Sequence, residues 1–317
     1  MEKDEPNEKL LNHFVEAIWT WETKSLQQTG LGKRFSLGSA DVVAVPPFNI
    51  SKDSIMKYLS LDNINLDVPA LYVFGDNFVD AGNNNYLHIP DIQSNYSPYG
   101  IDFGGKPTGR YTNGRTVADF IAQFTGLPFP PPVLSLSKED KIVPQTGLNY
   151  ASGYTGINGI YGNLFTLYQL GARKIVVNNA FPIGCQPHLN LGGDCYQGGN
   201  ERALFFNPMM YNFTKDLSSR LPGLQLVLVD LYKIFEDVFK SPASYGFTQV
   251  KSPCCSKIDA GITARCIANA ELCKDRSKYV FFDAINPTES MHFIWAKRLL
   301  KDSTISYPIN LIQLIQS

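Results

Sequence analysis

The residues whose types and spacing could do chemistry lie at the ends of two apolar runs. Tyr72-Val73-Phe74 alternates as a buried strand does and stops at Gly75-Asp76-Asn77. That turn puts position 77 on the strand's C-terminal rim, where open α/β sheets usually carry ligands and chemistry. A polar loop follows, with Asp80, Gly82 and the asparagines from Asn83. The second run, Tyr279-Val280-Phe281-Phe282, leads into Asp283-Ala284-Ile285-Asn286-Pro287. An asparagine amide is a poor nucleophile because its nitrogen lone pair is delocalised, and it takes up no proton near neutrality. Asn77 and Asn286 are therefore suited to donating and accepting hydrogen bonds rather than to attacking or deprotonating a substrate.

The other chemistry-bearing side chains are the histidines and cysteines. The four histidines are His13, His88, His188 and His292, and helix packing or surface exposure is the expectation for His292. The six cysteines stand at 185, 195, 254, 255, 266 and 273. Their spacing lacks a Cys-x-x-Cys pair with nearby histidines, which favours disulfides over zinc. The expected bridges are Cys185 with Cys195, and Cys254 and Cys255 with Cys266 and Cys273 in either order. Neither a metal nor a cofactor is expected. Disulfides belong to oxidising compartments. Asn49-Ile50-Ser51, Asn95-Tyr96-Ser97 and Asn212-Phe213-Thr214 are glycosylation sequons, the second weakened by Pro98.

Several longer blocks carry a resemblance. Leu71–Tyr86 (LYVFGDNFVDAGNNNY), Tyr96–Pro128 with its Ser97-Pro98-Tyr99-Gly100-Ile101-Asp102-Phe103 and Pro107–Arg115 loops, Gly147–Gly153, Pro182–Pro187 and Tyr279–Glu289 are similar to the motifs of the plant GDSL esterase/lipase family, part of the SGNH-hydrolase superfamily. The resemblance covers roughly 68–300. It implies a three-layer α/β/α sandwich with a flavodoxin-like parallel sheet. It also implies carboxylic-ester hydrolysis: position 77 would hold the nucleophilic serine, Gly153 would donate a backbone N–H to the oxyanion hole, Asp283 would orient the base, and position 286 would be the histidine base. Here both 77 and 286 are asparagine. The family's Gly-x-Asn-Asp block, with its second oxyanion donor and a central strand, has no counterpart, and the chain reads as deleted near 157–164. The expectation is therefore a catalytically inactive relative that keeps the scaffold to bind an acyl-ester or lipid-like small molecule, or a protein partner. The alternative is an active ester or lipid hydrolase with a non-standard nucleophile, for which Ser152 and Ser97 are the candidates.

The elements that must position these residues read as follows. Strands are expected near Leu71–Phe74, Leu148–Ala151, Lys174–Asn178 and Leu226–Val229, with the first and third pairing directly across the missing strand. Helices are expected from Thr116, with Val117, Phe120, Ile121 and Phe124 buried, over Asn163–Gly171 and Asn207–Leu221, from Tyr232, and after Pro287. Arg110 and Arg115 are expected to brace the loops between the first strand and its helix.

Composition bounds the rest. The chain has 317 residues, 44% hydrophobic and 18% charged, which suits one α/β body with a sizeable core. A formal net charge of −1 offers no electrostatic reason for nucleic acid as a partner. No apolar run reaches the length of a membrane span. Residues 1–67 read as an N-terminal extension unlike the family, and 68–317 as the hydrolase-like domain. Met1–Lys9 has no apolar core and no cleavage site, so a secretory signal is not expected, whereas the cysteines and the resemblance point to a secreted ancestry. An amphipathic helix capped by Asn7, with Leu11, Phe14, Val15, Ile18 and Trp21 in its stripe, is expected to pack on the body.

Overall fold

The computed structural model describes residues 44–136, 143–155, 160–261 and 263–317. The helix expected after Asn7 lies outside the described residues, as does His13. The body is an α/β arrangement with three short groups of extended chain and one principal hydrophobic core, to which β2 and β4 contribute Val227, Val229, Val280 and Phe281.

In the first sheet β1 (Lys174–Asn178) runs parallel to β2 (Gln225–Val229), and β5 (Ser306–Tyr307) pairs antiparallel on the other side of β2. β2 is the central strand, and its Leu226, Val227, Leu228 and Val229 are all buried. That continuous apolar run is what a strand covered on both faces requires. A second pair joins β3 (Gln249–Pro253) to β4 (Tyr279–Phe281) in parallel. The third group is Leu71–Gly75 beside 146–152. Val73 N–H donates to Leu148 O, Tyr150 N–H to Val73 O and Ser152 N–H to Gly75 O. Gly147 permits this approach, since a Cβ there would fall 1.9 Å from the Leu71 carbonyl oxygen and its φ is +112°.

The expected direct pairing of Leu71–Phe74 with Lys174–Asn178 does not occur. Among the described residues, β1 pairs as a strand only with β2, and the first strand only with the 146–152 segment. Each is held over its own small cluster. Val73, Ala118 and Ala151 pack under the first strand. Ile175 and Val177 of β1 lie against Leu164, Leu217, Leu224 and Leu226. With separate apolar anchors, nothing draws the two edges together, and Tyr72 and Phe74 stay largely exposed.

The helices fill the space around these strands. α1 (Lys52–Tyr58) buries Ile55 and Met56. α2 (Val117–Thr125) begins at a capping box formed by Thr116 and Asp119 and ends at Gly126 in the left-handed conformation. Val117, Phe120 and Phe124 are buried there, as their spacing predicts, while Ile121 is half-buried. α3 (Ile160–Gln169) connects the 146–152 segment to β1. α4 (Gln197–Arg220) starts ten residues earlier than the periodicity predicts and runs through Pro208. α5 (Leu231–Lys240) is capped by Asp230 and buries Ile234, Phe235 and Val238. α6 (Glu289–Lys301) is capped by Thr288, and α7 (Leu311–Gln316) by Asn310. Ile55, Met56, Leu59, Leu61 and Leu66 enter the same core as Phe120, Phe235 and Phe293, so residues 52–66 are integral to the body. No helix among the described residues is long and apolar enough to cross a membrane.

All six cysteines are in disulfides: Cys185–Cys195, Cys254–Cys273 and Cys255–Cys266. This completes the expected set and settles the order within the C-terminal four.

Candidate functional site

The site is assembled by two turns, each organised by its own aspartate. After the first strand, the Asp76 side chain accepts from Phe78 N–H at 3.0 Å, and its carbonyl accepts from Val79 and Asp80 N–H. This makes a single helical turn that holds Asn77 at the strand's C-terminal end. After β4, the Asp283 carboxylate accepts from Ile285 N–H at 2.9 Å and from Asn286 N–H at 2.6 Å, while Phe282 N–H donates to Asn286 O. An aspartate bonding to the backbone two and three residues on is a common turn device. It points the Asn286 side chain back over its own carboxylate.

The two turns meet. Asn286 Nδ2 donates to both Asp283 oxygens, at 3.0 and 2.9 Å. Because Asp283 only accepts when ionised, this fixes the Asn286 amide with Oδ1 outward, and that oxygen accepts from Asn77 Nδ2. Tyr99 Oη donates to Asp283 Oδ2 at 2.7 Å and itself accepts from Cys266 N–H at 3.0 Å. The result is one directional chain: Asn77 to Asn286 to Asp283, with Tyr99 closing the far side. Asp283 and Asn286 are buried, and Asn77 is 9% exposed. The second N–H and the Oδ1 of Asn77 have no partner among the described residues. Burial pushes the Asp283 carboxyl up to about 6, against the pull of its donors. Burial also raises the Tyr99 hydroxyl well above its ordinary range.

Gly153 lies beyond the first strand's pairing segment, but its N–H is occupied. It donates to Asp80 Oδ2 at 2.9 Å, while Asp80 Oδ1 takes Gly82 and Asn83 N–H at 2.7 Å each. A Cβ at Gly153 would lie 2.4 Å from Tyr111 Oη, so glycine is required by packing alone. Its carbonyl accepts from Asn84 Nδ2 at 3.1 Å. Asn83 bridges to the carbonyls of Asn149 and Ala151, tying the loop to the strand beside it.

The remaining candidates stand apart. Ser152 Oγ donates to Asn84 Oδ1 at 2.6 Å, with no histidine as partner. Ser97 is exposed and precedes Pro98. His292 is buried within α6 beside Trp295, and burial lowers its imidazole to about 3, so it is neutral. His88 is exposed, and His188 is half-buried with its Nδ1 3.1 Å from the Ala284 carbonyl oxygen. Arg110 grips Asp119 through two bonds of 2.8 and 2.7 Å. Arg115 pairs with Glu289 at 2.6 Å and reaches the Pro46 carbonyl at 2.6 Å, so both arginines brace the fold. Tyr99 and Asp80, which complete the network, lie in recognisable loops. Their partners are 184 and 73 residues away, and nothing in one sequence signals those contacts.

This combination defines an α/β protein with a buried carboxylate–amide dyad at the strand ends and a rim amide facing it. Residues 135–299 match the family model for GDSL-like Lipase/Acylhydrolase. Among curated proteins, the chain is 34% identical to GDSL esterase/lipase At4g16230 of Arabidopsis thaliana, over 78% of this chain and 91% of that protein. It is 31% identical to GDSL esterase/lipase At1g71691 of Arabidopsis thaliana, over 78% of this chain and 85% of the relative. The chain belongs to the GDSL esterase/lipase family.

Proposed function

We propose that this chain is a non-hydrolytic member of its family, which presents Asn77 to a carbonyl-bearing ligand instead of cleaving an acyl ester. The observation that carries the reading is the amide chain from Asn77 through Asn286 to Asp283. Position 77 offers no hydroxyl, and position 286 has no titrating nitrogen. Asp283 spends two of its hydrogen bonds on an amide that never becomes cationic. The Gly153 N–H, held by Asp80, is not free for an oxyanion. The free N–H and Oδ1 of Asn77 form a small donor–acceptor pair that suits an acyl ester or a lipid-like amide.

The test is turnover of short-chain aryl esters by the purified chain, beside Asn77→Ser, Asn286→His and the double variant. The unmodified chain and both single variants should stay at background, because nucleophile and base act as a unit. The double variant should show feeble turnover at most, since loss of one oxyanion donor typically costs about 10²–10³ in rate. Hydrolysis by the unmodified chain that is abolished by Ser152→Ala would overturn the proposal and identify the alternative nucleophile.

A further inference from the structure

A groove of about 470 Å³ opens between the turn after Cys185, strand β3 and the disulfide-rich loop before Cys266. Its size falls in the range of small-molecule sites. Its walls carry Leu191, Ile258 and Ala264 as apolar surface, and Lys251, Ser252 and His188 as polar groups. Among the described lining residues, Ala284 is the one that belongs to the Asn286 turn.

Three features mark it as preformed. The Cys185–Cys195 bridge brackets one wall, and Cys254–Cys273 and Cys255–Cys266 anchor the other two, so every disulfide of the chain staples this groove. Ala284 is clamped across the floor: its N–H donates to Ala264 O, and its carbonyl accepts from His188 N–H. The same carbonyl lies 3.1 Å from His188 Nδ1, and a carbonyl only accepts, so Nδ1 carries a proton. Among the described residues, His188 Nε2 and the Ser252 hydroxyl have no partner.

The charges select the ligand. Lys251 Nζ is held at 2.8 Å by Asp194, whose side chain is 98% exposed, and a pair of that kind contributes little. A ligand carboxylate can replace Asp194 on that ammonium. The groove's own acid, Asp259, is already engaged by Thr263 Oγ1 at 2.9 Å, by Gly261 N–H and by Arg265. We propose that the groove is a second ligand site, taking a small organic carboxylate whose anion meets Lys251 and Ser252 and whose apolar body lies along Ile258 and Ala264. The proposal is independent of whether the family site is catalytic.

Calorimetric titration with hexanoate, and with hexanol as the uncharged probe of the same body, tests it. Hexanoate should bind saturably and hexanol at least tenfold more weakly. Lys251→Met should weaken hexanoate about tenfold, and Ser252→Ala severalfold. Asp194→Asn should tighten binding severalfold by removing the competing carboxylate. Leu204→Ser, on the exposed face of α4, should leave it unchanged. Absence of saturable hexanoate binding would overturn the proposal. So would equal binding of the two probes, or indifference to Lys251→Met together with Asp194→Asn.

Discussion

Asn286→Leu isolates the central interaction of the site, because leucine keeps the branched shape and removes the amide. Asp283 is fully buried and accepts from Tyr99 Oη, from two backbone N–H groups and from Asn286 Nδ2. Hydrogen bonds to a charged group contribute about 1.5–3 kcal/mol each. Loss of the Nδ2 donor therefore disfavours ionised Asp283 by about that amount. At about 1.4 kcal/mol per pH unit, the folded-state midpoint moves up from about 6 by roughly one to two pH units. A carboxyl whose folded pKa lies above its unfolded value of about 3.9 contributes stability at low pH and loses it as pH rises through the folded value. In the unmodified protein this loss is complete a little above pH 6. In the variant it continues for about one or two pH units more.

At pH 4.5 the variant should then be less stable by about 1 kcal/mol, for the lost bond to Asn77. By pH 8.5 the gap should widen by about 1.5–3 kcal/mol. Denaturant unfolding at both pH values, with the disulfides intact, measures this directly. A destabilisation equal at the two pH values would refute the reasoning, since it would mean that Asn286 does not stabilise the Asp283 carboxylate.

Two other perturbations bear on the frame. Arg115→Ala strands the Glu289 carboxylate, already raised by burial, and should cost about 3–5 kcal/mol in unfolding experiments at neutral pH, and less at acid pH. Gly153→Ala drives a methyl into the Tyr111 ring and should cost about 1–3 kcal/mol in a melt, with no gain of esterase activity.

Local pattern alone determined much of this protein. Alternation located the first extended strand, an apolar run located β2, and helical spacing found the buried face of α2. Cysteine spacing identified the Cys185–Cys195 pair. The asparagines at 77 and 286 were legible as the residues of interest because they stand at the nucleophile and base positions of blocks that resemble the family's motifs. Those signals are short-range, set by residues within a turn or two of one another.

What the chain could not display locally was decided by tertiary packing. Whether Leu71–Phe74 meets Lys174–Asn178 depends on which clusters hold each strand, and the separate anchors at Ala151 and Leu164 keep them apart. The early start of α4 runs through Gly198-Gly199, against local propensity. Gly199 packs on Gly184, where a Cβ would sit 2.8 Å from that residue's Cα. Capture of the Gly153 N–H by Asp80, and of Asp283 by Tyr99, joins residues 73 and 184 positions apart. Burial, against the pull of its donors, lifts the Asp283 carboxyl to about 6, and burial is a property of the assembled core that no stretch of sequence carries by itself.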